Sequence, residues 1–200
     1  MSNEKNIIDL AKKCRNSSFN RNNYCVNIDT ANFIGSMLLH TWYDKFEERD
    51  DSYHKNCDDA ELNKQWIDRV TPGFQRDNKK WNGKMKRKFI ENILQGVKVE
   101  IMFFRMNEHD DAQIIDGLQR TTAILDFFTG KVKPFGFSYA ELKDYLSAFV
   151  THNLSIKIYT FDEWEEVGRF YIDMNENITH STSDIQKAKE WFLNEHNIEL

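Results

Sequence analysis

The residues with the chemistry to hold or process a ligand fall in two strings. One is Asp116-Gly117-Leu118-Gln119-Arg120, within QIIDGLQRTTAILDFFTG from Gln113 to Gly130; the other is Pro72-Gly73-Phe74-Gln75-Arg76 upstream. In the first, Ile114 and Ile115 read as the end of a strand, Asp116-Gly117 as a tight turn, and Leu118 to Thr129 as a helix stopped by Gly130. Such a junction points the unpaired N–H groups of the first helical turn into one concavity. The helix dipole favours a negative guest there, so phosphate is the natural ligand. Arg120 sharpens this reading, because a cation in the first turn opposes the dipole by ~0.3–1 kcal/mol and an anion is expected opposite it. A plainer reading has Asp116 capping the helix and Arg120 pairing with it one turn later. The second Gln-Arg pair, Gln75-Arg76, weighs towards a shared site.

On these residues the chain resembles the DGQQR-motif branch of the ParB/sulfiredoxin-like superfamily, which includes the GmrS-type subunits of modification-dependent restriction systems. In that family a P-x-Y-Q-R segment, a tryptophan and an amphipathic helix precede a strand and the DGQQR turn. Here Pro72, Phe74, Gln75, Arg76, Trp81 and the helix ending in Phe89-Ile90-Glu91-Asn92-Ile93-Leu94 stand in those places, before Asp116-Gly117-Leu118-Gln119-Arg120. A later F-x-x-x-N string is matched by Tyr171 to Asn175, followed by the polar turn Asn177 to Ser183. The resemblance runs from about Ile28 to Glu190 and rests on a small set of motif residues. Three departures stand out: Leu118 replaces the first Gln of the motif, one extra residue separates Arg76 from Trp81, and Asn177 stands where Gly is usual.

The resemblance implies an α+β fold, a small mixed sheet flanked by helices, and a nucleotide-binding site. Arg76 and Arg120 would clamp phosphates, and backbone N–H groups near Gly117 and Gln119 would cradle them beside Thr121. Asp116 would hold Mg2+ or orient water, making Asp116 and Arg120 the catalytic pair, while Gln75 and Asn175 would position the ligand. No Walker sequence occurs, so an NTP of unspecified base would be held without a P-loop. The implied function is NTP hydrolysis or NTP-dependent regulation linked to DNA restriction-modification or defence. Leu118 deletes a polar side chain from the turn, which weakens the case for hydrolysis more than the case for binding. Two alternatives stay open: a non-catalytic regulator or inhibitor acting through a partner protein, and a ParB-like DNA nuclease. Against the nuclease, His40, His54, His109, His152, His180 and His196 are scattered without metal-ligand spacing.

Composition narrows the setting. Two hundred residues that are 40% hydrophobic and 14% aromatic can bury a core. A net charge of −5 lacks the general basic bias of a free-standing nucleic-acid binder, so DNA contact, if present, is local and falls to the basic run Lys79 to Lys88. Cys14, Cys25 and Cys57 form no C-x-x-C and no even set, which suits a reducing cytoplasm. Neither a signal peptide nor an apolar membrane span is expected.

The positioning elements follow from periodicity. An extension over 1–27 begins with a short amphipathic helix, Ile7 to Arg15, and the domain proper is expected over 28–200. Tyr24 to Ile28 reads as a strand, followed by a helix with Phe33, Met37, Leu38 and Trp42 on one face. Glu47 to Lys64 reads as a charged, solvated insertion; its His54, Cys57, Asp58 and Asp59 lack ligand spacing. A helix from about Asn82 turns Met85, Phe89, Ile93 and Trp81 inward, and Val97 to Met106 is a buried strand beside Gln113–Ile115. Tyr139 to Val150 is expected as a helix, Leu154 to Tyr159 as a strand and Phe161 to Met174 as a helix; Ser181 to Ser183 caps a last one, Asp184 to His196.

Overall fold

The computed structural model describes residues 23–28, 60–75, 80–107, 111–148, 154–176 and 181–200. In chain order its elements are β1 (Asn23–Ile28), α1 (Ala60–Val70), α2 (Gly83–Leu94), β2 (Val99–Met106), β3 (Gln113–Asp116) and α3 (Leu118–Phe128). Then come α4 (Tyr139–Leu142), β4 (Leu154–Phe161), α5 (Trp164–Asn175) and α6 (Thr182–His196). Expectations for Ile7–Arg15, for the helix carrying Phe33 to Trp42, for the His54–Asp59 group, for Lys79 and for Arg76 lie outside the described residues.

Among the described residues the strands form one mixed sheet in the order β1-β4-β2-β3. Strand β2 runs parallel to β4 and antiparallel to β3, while β1 closes the other edge antiparallel to β4. The fold is therefore α+β. Strand β1 ends at Ile28 and pairs with β4 along its whole length, so the sheet takes in Asn23 to Asn27, which the periodicity reading placed in the extension. Likewise Ala60 to Lys64, read as the end of the charged insertion, form the first turns of α1, with Asn63 buried.

The sheet separates two apolar clusters, as strand alternation demands. On one face Ile101, Phe103, Ile114, Leu154, Ile156 and Ile158 meet α1 through Trp66 and Val70, α2 through Ile90, Ile93 and Leu94, and α3 through Ala123 to Phe128. On the other, Phe104, Ile115, Tyr159 and Phe161 meet Phe74, the Val167, Phe170 and Tyr171 side of α5, and Ile185, Ala188 and Phe192 of α6.

The strongest correction concerns residues 139–148, the described part of the helix expected over Tyr139 to Val150. The expected helix is one α-helical turn, started by the capping box of Ser138 and Glu141, that tightens to 3-10 geometry over Lys143–Ala148. Leu142 and Leu146 are buried there but Tyr145 is exposed, so the apolar face is too narrow to hold a regular helix by packing. Strand β4 also runs on to Phe161, and α5 begins only at Trp164, with Glu163 as its N-cap and Glu166 closing the capping box.

Candidate functional site

The site is built where β3 hands over to α3. Met102 of β2 sits opposite Asp116 and Phe103 opposite Ile114, so Ile115 is the extra residue of a β-bulge just before the turn. A bulge bends its strand and re-aims the next side chain, here Asp116. Gly117 then takes the N-cap position of α3 with φ 103°, a left-handed conformation that a side chain would strain. A Cβ at this position would also stand 3.1 Å from Ile101 Cγ2. With glycine at the cap, no side chain caps α3; the expectation that Asp116 caps it is not met.

Asp116 turns instead to Arg120. Its Oδ2 accepts from Arg120 Nη1 at 3.1 Å, and the same nitrogen donates to the main-chain carbonyl of Glu100 at 2.5 Å. The Glu100 carboxylate is engaged elsewhere, with Lys157 Nζ at 2.9 Å, and that contact holds the Lys157 ammonium above its ordinary pKa despite partial burial. Asp116 and Arg120 keep 26% and 33% side-chain exposure, so this pair opens to solvent although it abuts the core. The negative partner expected for a first-turn arginine is thus supplied within the chain by Asp116 and a strand carbonyl. This is the pairing of the plainer reading.

The upstream string is brought to the same place by packing. Pro72 accepts from the Gln75 N–H at 3.0 Å, closing a turn. The Trp191 indole lies over Gly73, leaving no room for a Cβ. Phe74 is buried against Phe104, Tyr171, Trp191 and Phe192, with ring centroids 4.9–5.9 Å away. That anchor sets Gln75 beside β3, where its amide donates to the carbonyls of both Ile114 and Ile115 at 2.9 Å. Gln119 does the equivalent for the next segment: its Oε1 accepts from the Trp81 main-chain N–H at 3.1 Å. Trp81 in turn meets Phe89 of α2 edge to face at 5.1 Å.

Together Gln75, Trp81, Asp116, Gly117, Leu118, Gln119 and Arg120 line one small, solvent-open concavity. Thr121 and Asn175 do not line it. Thr121 is fully buried with its hydroxyl on the Gly117 carbonyl at 3.1 Å, and the Asn175 amide donates to the Tyr171 carbonyl one turn back in α5 at 2.7 Å. Gln75 and Gln119 sit in the site but place backbone with the atoms just named, which makes them positioning groups. Sequence reasoning passed over Glu100, whose part is played by a main-chain carbonyl that no side-chain pattern reveals; Trp81 was read as a motif tryptophan and an inward-packing residue but not as part of the site.

The basic run is less available than its sequence implied. Lys80 pairs with Asp184 at 2.5 Å, Lys86 with Asp126 at 2.7 Å and Lys88 with Glu91 at 3.8 Å. Lys84 and Arg87 remain exposed on α2. Among the described residues, no three His, Cys, Asp or Glu side chains gather as a metal cage, and no helix is long and apolar enough to cross a membrane.

A family model described as the GmrSD restriction endonuclease, N-terminal domain, matches residues 59–199, which takes in both strings and every element from α1 to α6. No curated protein and no solved structure shows a significant match.

Proposed function

Because the chain belongs to the family of GmrSD restriction endonuclease N-terminal domains, a restriction-related group, we propose that it is the nucleotide-binding domain of a DNA restriction or defence system, taking a nucleoside triphosphate at the head of α3. The carrying observation is the joint lining of one concavity by Gln75 and by Asp116 to Arg120, from strings far apart in the chain. Its ligand-directed groups are the first-turn N–H groups of α3 and the Arg120 guanidinium, all donors, and these suit phosphate oxygens. Arg76, next to Gln75, is assigned to the same phosphates.

Asp116 is a single, partly exposed carboxylate beside that phosphate position. This suits Mg2+, which takes one or two carboxylates and completes its shell with phosphate oxygens and water. When bound, the ion would neutralise charge on the phosphates. The chain's own residues then divide the work: Arg120 and the helix N-terminus hold the anion, Gln75 and Gln119 hold the loops that shape the concavity, and Asp116 carries the cation or orients water. Asn175 and Thr121 support α5 and α3 from within.

Leu118 favours binding coupled to regulation of a partner protein over rapid turnover. It is buried at 6% exposure and joins the core where the motif has a polar glutamine. A partner chain that performs the DNA chemistry fits this division, with Lys84 and Arg87 available for local DNA contact.

Thermal melts with a panel of nucleoside triphosphates and magnesium test the reading. A ligand at a hundred times its Kd should stabilise the fold by ~2.7 kcal/mol, and phosphate release measured alongside separates binding from hydrolysis. Unchanged melts with every triphosphate would overturn the assignment.

A further inference from the structure

Resting on that nucleotide-binding reading, we propose that Asp116 is an internal stand-in for the ligand's phosphate: its carboxylate occupies the Arg120 guanidinium that the phosphate takes, and a divalent cation relieves this competition, so cation and polyphosphate bind with positive coupling.

The argument begins with one nitrogen. Arg120 Nη1 donates to two acceptors of unlike character, the Glu100 carbonyl at 2.5 Å and Asp116 Oδ2 at 3.1 Å. The carbonyl belongs to β2, whose neighbours Ile101 and Phe103 are fully buried, so it stays in place. The carboxylate is a side chain at the end of β3, a quarter exposed and free to rotate about its own torsions. An incoming anion therefore displaces the carboxylate, while the strand carbonyl keeps the guanidinium aimed. Glu100 cannot take over as the replacement acid, because its carboxylate is tied to Lys157 at 2.9 Å.

Charge sets the sign of the coupling. A phosphate at Arg120 lies beside the Asp116 carboxylate, and two anions at such range repel. The displaced carboxylate and the phosphate together make the oxygen set that a hard divalent cation takes. Each ligand removes the obstacle to the other, and linkage requires the effect to be reciprocal. The fold thereby spares Arg120 an unpartnered charge and discriminates against polyphosphate without its cation.

The test is calorimetric titration of the full chain with inorganic tripolyphosphate, in EDTA and in magnesium, for wild type, Asp116→Asn and Arg120→Ala. Wild type should bind weakly in EDTA and gain about tenfold or more in magnesium, the scale of a relieved charge repulsion. Asp116→Asn should bind about tenfold tighter than wild type in EDTA and gain less from magnesium, and Arg120→Ala should lose binding in both. Complexation of tripolyphosphate by magnesium in solution is common to all three proteins, so their comparison isolates the side chains. Apo melts verify folding, and Asp116→Ala, with the same expected sign, stands in if the Asn variant does not fold. If Asp116→Asn binds no tighter in EDTA, or gains as much from magnesium as wild type, the stand-in idea is overturned while the site survives. If wild type binds tripolyphosphate in neither condition, the nucleotide-binding reading falls with it.

Discussion

Arg120 is the residue at which competing forces can be weighed. It sits in the first turn of α3, where the dipole disfavours it, and is held by Asp116 and the Glu100 carbonyl. A partly exposed pair of this kind contributes ~0.2–1 kcal/mol, close to what the dipole costs, so the arginine adds little to stability. Arg120→Ala should accordingly shift apo stability by a few tenths of a kcal/mol, roughly the size of an i,i+4 pair. Its nucleoside triphosphate affinity in magnesium should fall by ~1.5–3 kcal/mol, the scale of a charged hydrogen bond. Titration beside apo melts decides it: equal affinities would reduce Arg120 to a helix-pairing group. The oddity of this arginine was legible in the sequence, because dipole and side-chain charge are both local. Its second holder was not, because a strand carbonyl carries no side-chain signature.

At the scale of elements, two helix N-termini make opposite choices. Helix α3 begins at Gly117 without a side-chain cap, and its first-turn residues Leu118 to Arg120 line the concavity. Gly117→Ala should cost ~1–3 kcal/mol through its positive φ, with the contact to Ile101 adding to it. Urea unfolding measures this, and a neutral result would show that the turn relaxes freely. Helix α6 begins with a full capping box: Ser181 accepts from the Asp184 N–H, and the Asp184 carboxylate accepts from Ser181 and from Lys80. Burial pushes that carboxyl's pKa up, but Lys80 together with the Ser181 hydroxyl and N–H outweigh it and hold it well below the ordinary 3.8. A depressed folded-state pKa contributes stability that is fully present above the unfolded value and is lost as pH falls through the folded one. Lys80→Met should therefore melt below wild type at neutral pH, and the gap should close as pH drops below 3.8. A gap that ignores pH would remove Lys80 as the cause.

Over the whole molecule, the two clusters on opposite faces of the sheet have different duties. The α1–α2–α3 side supplies the helix whose start is the site; the α5–α6 side supplies the aromatic bed that seats Phe74 and thereby Gln75. Phe74→Ala should cost ~3–5 kcal/mol, as deletion of a buried aromatic does. It should also weaken triphosphate binding in the fraction that stays folded, since Gln75 loses its anchor. Melting curves with and without ligand separate the two effects: a destabilised protein that retains wild-type affinity would detach the aromatic bed from the site.

The sequence by itself determined the strand-turn-helix at Asp116-Gly117 and the cap of the last helix, while the α+β class and a shared site for the two strings came from the family resemblance. Those local features depend on near neighbours: 3.6- and 2-residue periodicities, glycine's access to positive φ, and short polar side chains reaching their own backbone. Only the tertiary structure decided where each polar atom is used. It committed the Gln75 and Gln119 amides to backbone, turned Thr121 and Asn175 into the core, paired Lys80 and Lys86 of the basic run with acids distant in sequence, and let β1 complete the sheet. A hydrogen bond between distant residues depends on how layers stack and on which groups lose water when they do. Local pattern marks which residues are able to act, and the packing of the sheet between its two helical layers selects the few whose donors and charges remain turned to solvent.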